Sequence, residues 1–449
     1  MKPEKPPSLA ELAKIHHDNW KKISECFSRQ DAVKLIEKIN GEVLYWTDAK
    51  RQEIPKDLTP EIIWSAAKMM RAVTARNLTI GKDAQFRFKF YLPDGLNKIL
   101  HEIDVDAGRK FEAFFGGMAE QNNKILLESL MEESIASSQI EGAATTRPVA
   151  KEMLRTGRAP KNKPERMILN NYLAIQTIKD DFKSKPLSPE MLLELQAILT
   201  KDTLENVADE GRFRKSDDEV VVGDQLTGET IYEPPQAEKI PLLLTAICDY
   251  ANDESGPYTH PVVKACILHF LIAYTHPFVD GNGRTARGVF YWYLLREGYW
   301  LFQYVAISRT IKHARAEYDR AYVYVEQDEN DITYFLKFNL EKISLAMRDF
   351  YSYLERKRQE QKAIFSFRKI PGINERQAII LNDFARSPER ITTISEVQKT
   401  FNVVYQTARN DLLELEKLGF LHQKKSGLKY IFYKSEKFNA LLEDVAKNA

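Results

Sequence analysis

One run of the chain, His276-Pro-Phe-Val-Asp-Gly-Asn-Gly-Arg-Thr-Ala-Arg287, brings together a base, a carboxylate, two glycines and two arginines. Gly281 and Gly283 permit backbone angles closed to other residues and let a ligand approach the main chain. If a helix starts just after them, its unpaired N–H groups and its dipole favour an anion. Arg284 and Arg287 are three apart and share a face of the first turn. Two guanidiniums beside an amide-rich loop suit a polyphosphate. Asp280 could hold a Mg²⁺ shared with phosphate oxygens. His276, at the end of the preceding apolar run, is suited to taking a proton. Each piece alone also has an ordinary explanation: a turn, a helix end, a solvated face. Together, in a dozen residues, they describe one site.

The flanking sequence says what must position them. Val262–Thr275 is an apolar helical run, and a second run, Gly288–Arg296, ends at Gly298, a good helix stop. The layout is helix, tight loop, helix. Elsewhere, apolar residues recur at helical spacing in Ile62–Ala75, Lys124–Ile140, Met191–Leu199, Ala237–Tyr250 and Asn330–Arg358. Arg155–Arg166 reads as a basic, proline-containing loop, and Gln85–Leu92 alternates like a half-buried strand. Val220–Val222 and Glu229–Tyr232 are β-prone runs around the turn-rich Gly223–Gly228, so a hairpin is expected there. The chain is mainly α with one small hairpin, in three parts: 1–109, 110–360 and 361–449.

Composition fits a folded chain. The 449 residues carry 65 Lys plus Arg and 64 Asp plus Glu, a net charge of +1, with 43% hydrophobic residues. That excludes a disordered chain and argues against a partner held mainly by the field of the whole molecule, while leaving room for a local basic site. No apolar run approaches the ~18 residues that span a membrane. The N-terminus shows charges and prolines where a secretory signal would be apolar. Cys26, Cys248 and Cys266 are too few for a disulfide framework, so a cytoplasmic protein with reduced thiols is expected.

The run from His276 to Arg287 resembles the signature of Fic-domain proteins, HxFx(D/E)GNGRxxR, with every fixed position filled. Gly211-Arg-Phe-Arg214 is similar to the family's segment before the flap. Val222, Tyr232 and Pro234-Pro235 resemble the flap and its exit, and His260-Pro261, Ala265 and His269 resemble the pattern upstream of the signature. The resemblance covers roughly residues 110–340. It implies a Fic-fold helical core and transfer of AMP from ATP to a Ser, Thr or Tyr hydroxyl of a target protein, and of the chain itself. His276 would be the base and Asp280 the Mg²⁺ ligand. Gly281, Asn282 and Gly283 would hold phosphate oxygens through N–H groups and the Asn amide. Arg284 and Arg287 would grip the outer phosphates, and Phe278 would anchor the loop in the core. The flap residues Val220, Val221, Val222, Ile231 and Tyr232 would register the target by strand addition. The family's kinases carry altered loops; GNGR, with no Lys at the second Gly, favours AMP transfer.

Ser137-Ser-Gln-Ile-Glu141-Gly142 fits the family's inhibitory pattern, (S/T)xxxE(G/N). The resemblance implies that Glu141 pairs with Arg287, with Ser137 bonding nearby, so that ATP binds unproductively. Because the same Glu can support AMP removal in relatives, a deAMPylase is an alternative.

The last part reads as three helices, Asn374–Ala385, Ile394–Phe401 and Val404–Leu418. Two β-prone runs follow, Leu421–Gln423 and Lys429–Tyr433. That order resembles a winged helix-turn-helix domain, with Tyr405, Gln406, Arg409 and Asn410 placed to reach DNA. From Ile370 onward there are 12 Lys/Arg and 10 Asp/Glu, a net of +2. Asp411, Glu414 and Glu416 lie in the would-be recognition helix, so DNA is not the favoured partner. A nucleotide-sensing transcription regulator and a homodimer stay open.

Overall fold

Apolar residues at helical spacing build most of the chain, as a computed structural model of it shows. The structure describes residues 3–82, 85–107, 119–218, 220–223, 230–253, 255–387, 389–426 and 429–442. The chain forms two units, Met1–Arg348 and Asp349–Ala449, with helix Thr333–Arg368 carrying the chain from one to the other. The Fic-like core expected from the sequence lies in the first unit. No described helix is long and apolar enough to cross a membrane.

At the centre of the first unit is helix Pro261–Thr275, with Val262, Val263, Ala265, Cys266, Leu268, Phe270, Leu271 and Ile272 all fully buried. A helix apolar on every side must be surrounded by others. Its main neighbour is the signature helix Asn282–Arg296, equally apolar, with Ala286, Val289, Trp292 and Leu294 buried. Helices Pro189–Thr200, Lys163–Thr177 and Ala119–Ile140 pack beside this pair. The first two begin with a side-chain cap (Ser188, Asn162) and a proline in the first turn, which fixes where they start.

The N-terminal helices belong to the same unit. Arg71, buried, donates to Asn40 Oδ1 at 2.6 Å and to Tyr334 Oη at 3.0 Å. Lys68 pairs with Asp328 at 2.7 Å, so helix Pro60–Thr74 is tied to the stretch that opens helix Thr333–Arg368. Strand β1 (Arg76–Ile80) pairs antiparallel with β2 (Phe86–Phe90). Only the second was anticipated from sequence. Phe86, Phe88 and Phe90 point inward, and the polar half of β1 hides its pattern. The basic loop is shorter than expected: a helix runs to Thr156 and ends on Gly157 in the left-handed conformation.

The hairpin expected around Gly223–Gly228 is present as β3 (Val222–Gly223) and β4 (Thr230–Tyr232), with Val222 opposite Tyr232. Its turn, 224–229, and the side chains of Val222 and Ile231 lie outside the described residues.

The second unit holds helices Glu375–Arg386, Ile394–Phe401 and Tyr405–Lys417. Its sheet is three-stranded and antiparallel, ordered β5-β7-β6 from β5 (Ile391–Thr393), β6 (Leu421–Ser426) and β7 (Lys429–Lys434). Its own core includes Leu381, Phe384, Leu412, Leu415, Leu421 and Phe432. Strand β5 was not legible in the sequence, being three residues long and paired about forty residues downstream.

Candidate active site

Helix Pro261–Thr275 stops at His276, whose φ of 48° and ψ of 58° lie in the left-handed region. That conformation is unfavourable for a residue with a Cβ and persists only where surroundings enforce it. Here Arg214 enforces it. Its Nε donates to the His276 carbonyl at 2.7 Å and its backbone N–H to the Pro277 carbonyl at 2.9 Å, while Nη2 reaches the carbonyls of Pro235 and Thr275. The imidazole Nδ1–H donates to the Ala273 carbonyl at 3.2 Å, which leaves Nε2 with its lone pair free to accept a proton. Burial brings the His276 pKa down to about 4, so the ring is neutral at physiological pH.

The loop that follows is braced from within. Asn282 Oδ1 accepts from the Phe278 N–H at 2.9 Å and Asn282 Nδ2 donates to the Phe278 carbonyl at 2.7 Å. Both ends of this carboxamide are thus engaged with the loop's own backbone. The part of Asn282 that suits an anion is its main-chain N–H in the first turn of the signature helix. Phe278 is fully buried and stacks on Phe213 at 5.4 Å. Gly281 has φ +87°, and Gln196 Nε2 donates to the Asp280 carbonyl at 3.2 Å.

The two signature arginines are both buried and have different partners. Arg284 Nη1 donates to the Leu199 carbonyl at 2.8 Å and Nη2 approaches Asp280 Oδ1 at 3.3 Å. Arg287 faces helix Ala119–Ile140. Its Nε donates to Ser137 Oγ at 2.9 Å and its Nη2 to the Ser137 carbonyl at 3.0 Å and to Glu141 Oε1 at 2.9 Å. Arg287 Nη1 is buried with no hydrogen-bond partner. A Cβ added to Gly283 would sit 3.2 Å from that nitrogen and 2.3 Å from Glu141 Oε1. A side chain at 283 would have to displace the Glu141 carboxylate, and an unsatisfied guanidinium N–H of Arg287 lies beside the position.

Glu141 owes its place to how its helix ends. Gly142, at φ +91°, turns the chain left-handed. The Gly142 N–H bonds to the Gln139 carbonyl and the Ala143 N–H to the Ser138 carbonyl, the paired closure of a Schellman motif. Glu141 is the cap residue, and its side chain reaches across to Arg287. Burial pushes its carboxyl up, but the positive charge of Arg287, then of Arg284 and Arg315, outweighs this and holds it below its ordinary value.

His276, Gly283, Arg287 and Glu141 line one open cleft, with the flap residue Tyr232 on its wall. Tyr232 Oη donates to the Tyr274 carbonyl at 2.8 Å. Val221 is exposed and Val220 half-buried beside it. Ser137, Arg284 and Arg287 also meet around a small interior cavity. Asp280 has a half-exposed side chain whose Oδ1 accepts from the Gly281 N–H at 2.5 Å. Among the described residues no group of three or more His, Cys, Asp or Glu could hold a metal unaided. A lone carboxylate fits a Mg²⁺ carried mainly by phosphate oxygens and water.

Sequence reasoning named Arg214 only within a flanking pattern, and missed Gln196 and Glu133. Gln196 is a fully buried polar residue in the apolar run Pro189–Thr200, which was the available signal.

Residues 186–294 match the Fic/DOC family. The chain carries a Fic domain. A protein adenylyltransferase Fic from Nematostella vectensis is 25% identical over 250 residues, 54% of this chain and 53% of its own length. One from Drosophila melanogaster is 36% identical over 89 residues, 20% of this chain and 16% of its own. The chain therefore spans about half, or less, of the curated relatives it matches. A Fic family protein from Desulfovibrio desulfuricans G20 superposes with a TM-score of 0.50 at 19% identity, covering 76% of this chain and 96% of its own. A Fic-1 segment from C. elegans gives 0.52 at 18%, covering 75% and 88%. At such identities the likeness concerns the fold, a helical Fic core.

Proposed function

We propose that the chain is a protein adenylyltransferase that moves AMP from ATP to a Ser, Thr or Tyr hydroxyl, on itself and on a protein target, and that Glu141 restrains it. The carrying observation is the cleft that joins a neutral His276, with Nε2 free, to the Gly281–Gly283 loop and the buried, partly unsatisfied Arg287. Phosphates would lie against the first-turn N–H groups of Asn282–Arg296, with Arg287 taking outer phosphate charge. His276 Nε2 accepts the proton of the attacking hydroxyl. The oxygen bonds to the α-phosphorus and pyrophosphate leaves. The chain's contribution is positioning and charge stabilisation in a preformed cradle. Asp280 would help hold Mg²⁺, which supplies charge neutralisation on the phosphates. With Glu141 on Arg287, the outer phosphates lose one of their cationic partners.

Incubation with α-labelled ATP and Mg²⁺ tests this. Glu141→Gly should raise self-labelling at least several-fold over wild type, and adding His276→Ala should abolish it. Equal labelling of wild type and Glu141→Gly would remove the restraint, and label surviving in His276→Ala would remove the base. The names of the relatives support AMP transfer as the direction. Glu141, about a quarter exposed in the same cleft, supports AMP removal as the alternative. Release of AMP from pre-labelled protein by wild type, and none by Glu141→Gly, would favour it.

The second unit supports a winged-helix reading, and one observation removes a single acid, Asp411, from the charge that weighs against DNA. Asp411 is buried and held by Arg376 at 2.7 Å and Asn374 at 2.8 Å. Glu414 accepts from Gln377, and Glu416 from Gln423 at 2.8 Å. Asp411 is thereby turned inward, whereas Glu414 is exposed and Glu416 half-buried on the same helix as the exposed Tyr405, Gln406, Arg409 and Asn410. A salt-dependent gel shift of random duplex at micromolar protein is the expected result; no shift at low salt would remove this reading.

A further inference from the structure

We infer that Glu133 is a second latch of the inhibitory helix, a positioning residue that keeps Glu141 on Arg287 without touching the cleft. This rests on the proposed restraint by Glu141 and deepens it.

Glu133, Ser137 and Glu141 follow at intervals of four, so they lie along one side of helix Ala119–Ile140 and its cap. The signature helix answers with Arg287 and Tyr291, also four apart. The two helices therefore meet at two levels. At the upper level Arg287 binds Ser137 and Glu141. At the lower level Tyr291 Oη donates to Glu133 Oε2 at 2.7 Å. A third element joins there: the Ser308 N–H donates to Glu133 Oε2 at 2.9 Å and Ser308 Oγ donates to Glu133 Oε1.

The two levels differ in exposure. Glu141 is about a quarter exposed, whereas Glu133, Tyr291 and Ser308 are all buried. Buried carboxylates are rare unless their partners are satisfied. Here three donors, from two separate elements, converge on one side chain. None of them contacts the His276 cleft. Glu133 and Tyr291 instead line the small interior cavity behind Arg284 and Arg287, and their bonds fix where the inhibitory helix runs against the signature helix. Arg315 acts in the same sense at the far end, where Nη1 donates to the Ile140 carbonyl. A charge pair open to solvent at the cleft would be easily competed by a phosphate. Clamping its helix from behind holds the carboxylate in place against that competition.

The test compares self-labelling from α-labelled ATP in two backgrounds, Glu141 intact and Glu141→Gly. With Glu141 intact, Glu133→Ala should raise label several-fold. Glu133→Gln should stay near wild type, because its carbonyl can accept from Tyr291 and the Ser308 N–H while its NH₂ donates to Ser308 Oγ. In the Glu141→Gly background, Glu133→Ala should add nothing, since the restraint is already gone. If Glu133→Ala lowers the melting temperature too far to assay, Ser308→Ala, which removes one donor, should raise label about two-fold in the same background-dependent way. Wild-type labelling by both Glu133→Ala and Ser308→Ala, beside a strongly labelled Glu141→Gly, would overturn the latch. So would an equal rise in both backgrounds. No rise for Glu141→Gly itself would instead sink the underlying restraint.

Discussion

The signature loop and the β3–β4 hairpin border the same cleft but are held differently. The loop is fixed by interior contacts on every side: Asn282 on Phe278, Gln196 on Asp280, Arg214 on His276 and Pro277, and Phe278 sunk in the core. The hairpin is two short strands with an irregular register, moored by Tyr232 on Tyr274 while Val221 stands in solvent. The difference suits the two roles proposed for these regions. Chemistry on a phosphate needs groups held within a fraction of an ångström. Docking an unknown backbone by strand addition needs an edge that is open. One region is preorganised, and the other is left available.

The comparison is broken most severely by loosening the loop. Arg214→Met keeps much of the side-chain volume but leaves the carbonyls of His276, Thr275 and Pro235 without their guanidinium partner. It should relax the left-handed His276. In the Glu141→Gly background, so that restraint does not intervene, labelling should fall on the order of 100-fold, the scale of a misplaced reacting group. The KM for ATP should change much less than the rate, because the phosphate-facing N–H groups belong to the signature helix. A rate unchanged within two-fold would show that His276 holds its conformation without Arg214.

An intermediate test uses pH. Burial brings the His276 pKa down to about 4 against an ordinary 6.5. The neutral base therefore persists well into acid. The labelling rate of Glu141→Gly should hold through pH 6.5 and drop only as pH falls through about 4. Removing Glu141 also removes a negative charge that favours the imidazolium, which shifts the limb lower still. The same shift bears on stability. Between about 6.5 and about 4 the unfolded chain takes up a proton that the folded site refuses, so stability declines as pH falls across that window. An acid limb at pH 6–7 would mean that His276 is solvated, and that the loop is less closed than its contacts imply.

How much of this was legible in sequence divides along the same line as the comparison. The loop could be read because its chemistry is local: base, carboxylate, glycines and arginines fall within one dozen residues, between apolar runs that specify helices. The flanking helices of both units were legible for the same reason, their apolar periodicity. What was hidden depends on partners far along the chain. Arg214 is 62 residues from His276, and Glu133 is 175 from Ser308. Asp411 counted as a surface charge in the arithmetic of the tail, and only its pairing with Arg376, 35 residues away, turns it inward. Strands β1 and β5 escaped because short segments with mixed polarity gain their strand character from a partner rather than from their own pattern. Arg284 and Arg287 share a helical face by spacing, but the side chains go to Leu199 and to Ser137, destinations that spacing does not encode.

The smallest expected effect is at the hairpin. Tyr232→Phe keeps the ring against Tyr274, now 5.4 Å between centroids, and removes only the hydrogen bond to the Tyr274 carbonyl. A bond of that kind contributes about 1 kcal/mol, roughly a five-fold effect at most. On the docking role proposed for the hairpin, the loss should fall on modification of a protein hydroxyl and leave the KM for ATP within error. Measured in the Glu141→Gly background, the ratio of protein labelling to ATP affinity separates the two regions. A drop confined to labelling keeps the hairpin as an adjustable edge beside a rigid loop. A matching rise in the KM for ATP would make Tyr232 part of the nucleotide wall, and the division between a fixed site for phosphate and a movable one for protein would fail at that residue.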